Sequence, residues 1–399
     1  MDVMPTPLPG PAQMPGYPPL PAQWTFWADT IIGHEPLGHL QPSAFNASRH
    51  LSGFGSGSVT LPVTSSAMDQ ARLMKLWSWR LWAYYGGRPW WCGVPTGIAD
   101  DSGPTASLTL TELPGYLEKR QFDVHPSQRF DQVEQVQIAA TLAAPVTDVG
   151  VSIITSAGPG FLRDRTYEYL ESDHRAQLLK NLSEVISGPQ YRAEYSVSSA
   201  GRPVCSLRIA YPRVGGPTGL GVSVPGSATG FDAKWDADEL RTRTFAVGEV
   251  PEDAPEGTPK PVAIKDVPQA GLPRLDEVDD YPGVILQSTL IERAAAASMQ
   301  YAQPVLDLTA SAVASSPPLT SYAPGDDVTV RVATPLLPGG LDVTGQLTEV
   351  SVNAATGAVA WTVAVTQPPP RARETLSGRL DRIDLTVRSA YRRRMQPLT

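Results

Sequence analysis

The chain opens with short runs in which hydrophobic and polar residues alternate with period two. In residues 43–62 the positions Phe45, Ala47 and Arg49 alternate with small polar residues, and glycines at 53, 55 and 57 interrupt the run before Val59 resumes it. Residues 76–94 repeat the pattern with aromatic side chains, and Gly86 and Gly87 between their two halves can adopt the positive φ of a tight hairpin. The pattern predicts two β-hairpins within the first hundred residues.

The middle of the chain changes period. Apolar residues at helical spacing predict helices over 120–144 and 167–186, the second ended by Gly188 and Pro189. Alternation then predicts strands over 192–198 and 204–211, joined by a turn at Ala200-Gly201. This mixture predicts a small α+β unit.

The last third returns to strands. An alanine-rich stretch predicts a helix over 284–301, and alternation predicts strands over 305–310, 327–333, 345–352 and 358–367. Pro324-Gly325 predicts a type II turn, because proline presets one φ angle and glycine accepts a positive one. These elements predict a second barrel.

The predicted fold class is therefore a β-rich α+β multidomain chain, with two β-barrel domains flanking an inserted α+β domain. Six segments follow from shifts in composition. They are a Pro-rich N-terminal arm (1–23), a first barrel (24–118), the inserted domain (119–248), a Pro-rich acidic loop or linker (249–282), a second barrel (283–368) and a basic C-terminal arm (369–399).

Composition excludes several classes of protein. Forty prolines and 34 glycines in 399 residues favour turns between short strands over long helices. A net charge of −8 disfavours a phosphate backbone as the main ligand. No stretch has the length and apolarity of a membrane span, and the N-terminus lacks the pattern of a signal peptide, so we expect no membrane insertion.

Candidate chemistry is sparse. His34 and His39 stand five residues apart, where a zinc-binding helix needs four, and Pro36 and Gly38 between them would break such a helix. Cys92 and Cys205, the two cysteines, are expected to be semi-buried thiols. The acidic pairs at 100–101 and 326–327 are typical of solvated turns, and the glycine-rich segment 215–221 of a mobile loop. We predict no catalytic residue, no metal site and no cofactor.

Two groups are candidate interface residues. The first is a cluster of aromatic side chains, for which core or interface packing is favoured over a platform that stacks on sugars. It comprises Trp77, Trp79, Trp82, Trp90 and Trp91. The second is Arg392, Arg393 and Arg394, which end a basic segment suited to an acidic protein surface, to a strand added to a neighbouring subunit, or to DNA.

The order of these elements resembles a known family. The run SVTLP after a Gly/Ser turn, then GGRPWWCG, then SLTLTELPGYLEKR is similar to the first domain of minor tail proteins of long-tailed actinobacterial phages, which are distantly similar to baseplate hubs. The later run APGDDVTV matches the turn through which such hubs commonly enter their last barrel.

The resemblance implies tail-tube-like barrels and a homotrimer whose six barrels form a pseudo-sixfold ring. It implies a structural, non-enzymatic hub that is assembled in the host cytoplasm and caps the tail tube at the tail tip of the virion. Expected partners are the distal tail protein and tail tube, the tape-measure protein, peripheral fibres or receptor-binding proteins, and transiently the exiting DNA. A carbohydrate-binding module or a cell-wall-degrading tail protein is the alternative.

Overall fold

The fold is known from a computed structural model. It describes residues 23–365, except 63–74, 101–104, 126, 159–161, 171–172, 186–187, 237, 239, 251–254, 256, 270, 282–286, 303–304, 314–317 and 335–336. Within these residues the chain is rich in strands, as predicted. The N-terminal and C-terminal arms lie outside the described residues.

The first strand region confirms both predicted hairpins. The turn of the second has Gly86 and Gly87 at φ +55° and +77°, a conformation that costs a residue with a Cβ atom. A 3₁₀ helix, Leu113–Lys119, follows the region. Its strands are β1 (Trp24–Thr30), β2 (Pro36–Leu40), β3 (Ala44–His50), β4 (Ser56–Pro62), β5 (Trp79–Tyr85), β6 (Arg88–Asp100) and β7 (Thr105–Glu112).

The α+β unit comes next. Its elements are β8 (Ser127–Glu134), α1 (Gln135–Ala143), a 3₁₀ helix (Ala144–Val149), β9 (Val151–Ala157), β10 (Leu162–Glu168), α2 (Arg175–Ser183), β11 (Gln190–Val197) and β12 (Pro203–Tyr211). The hairpin of β11 and β12 is confirmed, and β12 also pairs in parallel with β9.

Both predicted helices of this unit were too long. The first begins only at Gln135, because residues 127–134 form β8, which pairs with β10. The second begins only at Arg175, and its first two predicted residues, 167 and 168, are the end of strand β10. Phe130 and Tyr167, which contributed to the helical pattern, are instead buried strand residues whose rings pack together. A few apolar residues in a polar run are compatible with both helical and strand periodicity, and here the pairing of β8 with β10 determined that strands form.

The second strand region holds a smaller unit between its strands. The elements are β13 (Pro217–Val224), β14 (Ala228–Asp236), β15 (Arg243–Val247), β16 (Val262–Asp266), β17 (Asp276–Asp280), α3 (Gln287–Gln300), β18 (Val305–Val313), a 3₁₀ helix (Leu319–Ser321), β19 (Asp327–Thr334), β20 (Leu337–Asn353) and β21 (Ala358–Val365). The helix and all four predicted strands of this region are confirmed, and Gly325 has φ +97°.

Two predicted loops are strands. The acidic segment 249–282 contributes β16 and β17, which pair with β15 on its two sides and are covered by α3. Its own few apolar residues cannot form a core, but pairing with β15 and burial under a helix supply one. The glycine-rich segment 215–221 lies mostly in β13, which pairs with β19, and β14 pairs with β18. Residues 217–236 therefore join the second strand region, although 119–248 was predicted to be one inserted domain.

Neither strand region forms the predicted closed barrel within the described residues. Eleven strands run in the order β14-β18-β21-β20-β3-β4-β7-β6-β5-β1-β2, and β19 and β13 branch from β20 to make 13. β3 pairs with β4 along one edge and with β20 along the other. Because both edges of β3 are occupied, it cannot close the first region on itself and instead joins the two regions into one large open sheet.

Two cores lie against this sheet. Phe45, Trp91 and Trp361 belong to one cluster shared by both strand regions. A second cluster, with Trp82 and Phe122, lies between β5, β6 and the α+β unit. Both faces of β5 and β6 are therefore buried. No helix among the described residues is long and apolar enough to cross a membrane.

Candidate functional site: a polar face of the large sheet

One face of the large sheet carries small polar side chains across both strand regions. They come from alternate positions of β7, β4, β3, β20, β21 and β18, whose intervening residues, such as Val59 and Trp361, are buried in the core. Side chains along a strand alternate between its two faces, so the burial of one set leaves the other exposed. We call this the polar sheet face.

The register aligns these side chains in rows across the strands. One row runs Thr111, Ser56, Ser48, Ser351, Ala360, Ser311. A second row runs Thr109, Ser58, Asn46, Asn353, Ala358. Both rows cross from β3 to β20, the pair that joins the two strand regions, so the face belongs to neither region alone.

A shallow groove of about 510 Å³ follows this junction, lined by residues of both rows. Neighbouring side chains on the face bind one another: Asn46 Nδ2 donates to Ser58 Oγ (3.3 Å), and Ser48 Oγ lies 3.0 Å from His50 Nε2. His50 and Glu349, whose Nδ1 and Oε2 atoms are 3.9 Å apart, form an ion pair at one end when the histidine is protonated. The groove is open, and its lining combines small polar side chains with the apolar atoms of alanine, valine and glycine residues, which make up most of its exposed surface.

The two rows consist of small, uncharged side chains. Neither row contains an Arg or Lys that could pair with phosphate, or an aromatic ring on which a base or sugar could stack. Neither row contains a large apolar side chain of the kind that anchors a permanent interface.

A buried polar cluster fastens the first strand region to the α+β unit. The hydroxyl of Tyr195 on β11 donates to Glu112 Oε1 (2.6 Å), and the Gly55 amide donates to Glu112 Oε2 (2.8 Å). Arg49 Nη2 donates to the carbonyl of Ala193 (2.9 Å), and its guanidinium lies 5.1 Å from the Tyr195 ring centre. Burial raises the pKa of Glu112, while its two hydrogen bonds and the charge of Arg49 act in the opposite direction.

Arg192 fastens the α+β unit to the second strand region. Its guanidinium donates to Glu194 Oε1 (2.9 Å), to Asp326 Oδ1 (2.9 Å) and to the carbonyl of Pro324 (2.7 Å). The side-chain amides of Gln190 and Gln346 donate to each other (2.9 and 3.1 Å). The α+β unit is therefore hydrogen-bonded to both strand regions, and these contacts fix the position of one region relative to the other.

Four of the five candidate tryptophans are core residues. Trp79, Trp82, Trp90 and Trp91 are buried within the chain itself, so their side chains form neither an exposed sugar platform nor a contact surface in this conformation. Trp77 is half-buried and packs against the second core, and its interface role stays a prediction. The alternation could not reveal this, because a second layer covers β5 and β6.

The remaining candidates have structural contacts or lie outside the described residues. His34 Nδ1 is 2.7 Å from Arg80 Nη2, and the His39 ring packs against Trp27. Within the part of the chain that the structure describes, no group of three or more His, Cys, Asp or Glu side chains is placed to hold a metal ion. Arg392, Arg393 and Arg394 lie outside the described residues.

The polar sheet face itself was not predicted as a site. Its signal was present in the serine, threonine and asparagine residues at alternate positions of SAFNAS, SVTLP and SLTLTE. What the sequence does not show is that β3 and β20 are neighbours, which turns separate polar edges into one continuous face.

Comparison with known proteins was made by sequence and by structure. No family model and no curated protein matches the chain in sequence. Solved structures do match: a 43 kDa tail protein of prophage MuSo2 from Shewanella oneidensis has a TM-score of 0.60 at 11% identity, covering 86% of this chain and 98% of its own.

Two further solved structures have a similar fold. A tail protein from Neisseria meningitidis has a TM-score of 0.55 at 14% identity and covers 85% of this chain and 96% of its own. A prophage tail protein from Listeria monocytogenes has a TM-score of 0.53 at 14% identity, covering 86% and 95%. The chain has the fold of these phage tail proteins. At such identities the likeness is one of fold, and it extends over nearly the whole length of each relative.

Proposed function

We propose that this chain is a structural subunit of a phage tail tip, where three copies form a hub that caps the tail tube. The fold shared with prophage tail proteins supports a tail component. Each chain contributes two strand regions fused by β3 and β20, so three chains contribute six, which suits contact with a sixfold tube. The proposed hub is non-enzymatic.

The polar sheet face is the observation that carries this proposal. In a ring of three copies, a face that crosses both strand regions can form a continuous inner wall. Its two rows of small side chains contain no Arg or Lys that could bind the DNA phosphates. Such a wall suits a passage for the tape-measure protein and then for DNA.

The other partners follow from this placement. The distal tail protein and tail tube lie at one end of the ring, and peripheral fibres or receptor-binding proteins attach outside it. Trp77 and Arg392–Arg394 are candidate residues for these contacts. The subunit is assembled in the host cytoplasm and resides at the tail tip of the virion.

The assembly is tested by the light-scattering mass of the purified chain, together with antibody labelling of virions. We expect three copies per particle in solution and label at the tail tip. A monomer that clears a peptidoglycan suspension would establish a cell-wall-degrading protein instead, and glycan-dependent quenching of tryptophan fluorescence would establish a sugar-binding module.

The inner wall is tested by placing a positive charge on it. We expect phage carrying Ser58→Arg to assemble normal particles that release DNA slowly, because the exposed side chain of Ser58 lies on the polar sheet face. Ser199→Arg is the matched control, since Ser199 is exposed in the hairpin turn after β11. The measurement is release of labelled DNA onto host cells. Equal release by the two variants would refute the inner-wall assignment.

A further inference from the structure

The small sheet of β15, β16 and β17 is covered on one face only. Helix α3 packs on that face against Ala246 and Ala263, with Leu290 and Ala294 buried between helix and sheet. Ser298 of the helix also donates to Thr244 Oγ1 (3.0 Å). On the opposite face Val262, Ile264 and Val278 are exposed, while Phe245 and Val247 are partly buried.

The open face carries an apolar stripe. Ile264, Phe245 and Val278 stand in one row across the three strands, and Val262 and Val247 stand beside each other in the next. Val262, Ile264 and Val278 are 40%, 50% and 55% exposed. Three large apolar side chains exposed together, on a sheet with two open edges, mark a surface that another segment covers.

Acidic groups border the stripe. Arg243 stands between Asp266 and Asp276 in the row before the stripe, and Asp280 completes the row of Val262 and Val247. Asp266 and Asp276 already pair with cations of the chain itself, Arg243 (3.2 Å) and Arg274 (2.8 Å). Segment 249–282, which supplies β16 and β17, has nine acidic residues against three basic ones. The covering segment should therefore combine apolar side chains with positive charge.

The chain itself has such a segment. Residues 371–394 contain eight arginines against three acidic residues. Within them Ile383, Leu385 and Val387 alternate with polar residues at period two, which would place the three apolar side chains on one face of an extended segment. The three side chains are similar in size to Val262, Ile264 and Val278 of the stripe.

The last described strand ends on the side of the large sheet from which the small sheet departs. β21 ends at Val365, which pairs with Leu306 at the start of β18, and Val305 pairs with Asp236 at the end of β14. The small sheet and α3 are inserted between β14 and β18, so they leave the large sheet at the end where β21 stops. The 34 residues after Val365 can span about 110 Å when extended, far more than the small sheet requires.

We propose that residues 371–394 bind the apolar stripe of the same chain. Ile383, Leu385 and Val387 contact the stripe, and the flanking arginines pair with its acidic border. The basic arm is thereby held on the small sheet, and the apolar stripe is kept from pairing with other chains.

Digestion of the full chain by an arginine-specific protease tests the contact. Val278→Asn introduces no arginine and therefore no new cleavage site for this protease. It changes a side chain that is already half-exposed, so we expect the fold to be retained. We expect cleavage after the arginines of 371–394, followed by mass spectrometry, to become about tenfold faster in this variant, because a buried valine stabilises the docked arm. Val197→Asn is the matched control, since Val197 is 51% exposed on β11. Equal cleavage rates in the two variants would overturn the proposal.

A cross-link identifies the chain that supplies the arm. Ile264→Cys and Leu385→Cys are combined and treated with a flexible bismaleimide, to which the buried Cys92 and Cys205 do not respond. We expect a band with the mass of one chain on a denaturing gel, in which mass spectrometry of the digested band finds the peptide containing position 264 joined to the peptide containing position 385. A product with the mass of two chains would overturn docking within the chain and assign the stripe to a second copy. Absence of any linked product would overturn docking altogether.

Discussion

Replacing Tyr195 by phenylalanine removes one hydrogen bond at the joint between the first strand region and the α+β unit. The hydroxyl donates to Glu112 Oε1 at 2.6 Å, and no other atom is lost. The ring of Phe keeps the stacking contact with Arg49. A hydrogen bond to an ionised group contributes about 1.5–3 kcal/mol, more than one between neutral groups.

The expected loss can be expressed as a melting temperature. Unfolding entropy is about 2.1 cal/mol/K per residue, so a unit of roughly 340 residues loses roughly 1.4 °C per kcal/mol. We therefore expect Tyr195→Phe to lower Tm by about 2–4 °C in differential scanning calorimetry. Tyr85→Phe is the control, because its hydroxyl donates 2.8 Å to the neutral amide oxygen of Gln23. Its loss should lower Tm by about 1–2 °C.

The effect should depend on pH, with a definite sign. Burial raises the pKa of Glu112, so this carboxyl keeps its proton to higher pH in the folded chain than in the unfolded chain. The contribution of Glu112 to the stability of the fold therefore decreases as pH rises through its folded pKa. The Tyr195 bond lowers that pKa and offsets part of the loss. Its removal therefore costs most where Glu112 is ionised. In a series from about pH 5 to pH 9 the Tm difference between Tyr195→Phe and the natural chain should grow. A difference that is constant with pH, or no larger than that of Tyr85→Phe, would refute the reasoning.

Two further predictions concern the core. Gly93→Ala should destabilise the fold by about 1–3 kcal/mol, because a Cβ atom there would come within 2.0 Å of the buried Trp91 ring. The control is Gly230→Ala, which should leave Tm nearly unchanged in the same calorimetry because the space around its Cβ position is open. Burial raises the pKa of the Cys92 and Cys205 thiols well above the ordinary value, so a colourimetric thiol reagent at about pH 8 should react with neither in the folded chain and with both in denaturant. Fast reaction of the native chain would contradict the placement of β6 and β12.

Much of the strand content was predictable because its signals lie in residues that are close together in the sequence. Period-two alternation identified the hairpins of β3 with β4 and of β11 with β12. Gly86-Gly87 identified the turn between β5 and β6, and Pro324-Gly325 the turn before β19, since glycine accepts the positive φ of these turns without cost. Each of these signals depends on neighbours in sequence.

The wrong secondary-structure predictions concern segments whose structure depends on contacts with residues that are distant in the sequence. Strand β8 and the last two residues of β10 were predicted to be parts of helices, because their few apolar residues fit either period until the two strands pair with each other. Strands β16 and β17 were predicted to be a linker, because their core is completed by α3 and β15, which lie outside the segment. In both cases the deciding partner is distant along the chain.

The sequence by itself determined which side chains face together along each strand and where the chain turns. Only the tertiary structure decided which faces are exposed. The pairing of β3 with β20 merged two predicted barrels into one open sheet with a continuous polar face, and the α+β unit buried the second face of β5 and β6 with their tryptophans. The physical reason is that alternation specifies two faces of a strand, while burial depends on the layers that pack against each of them.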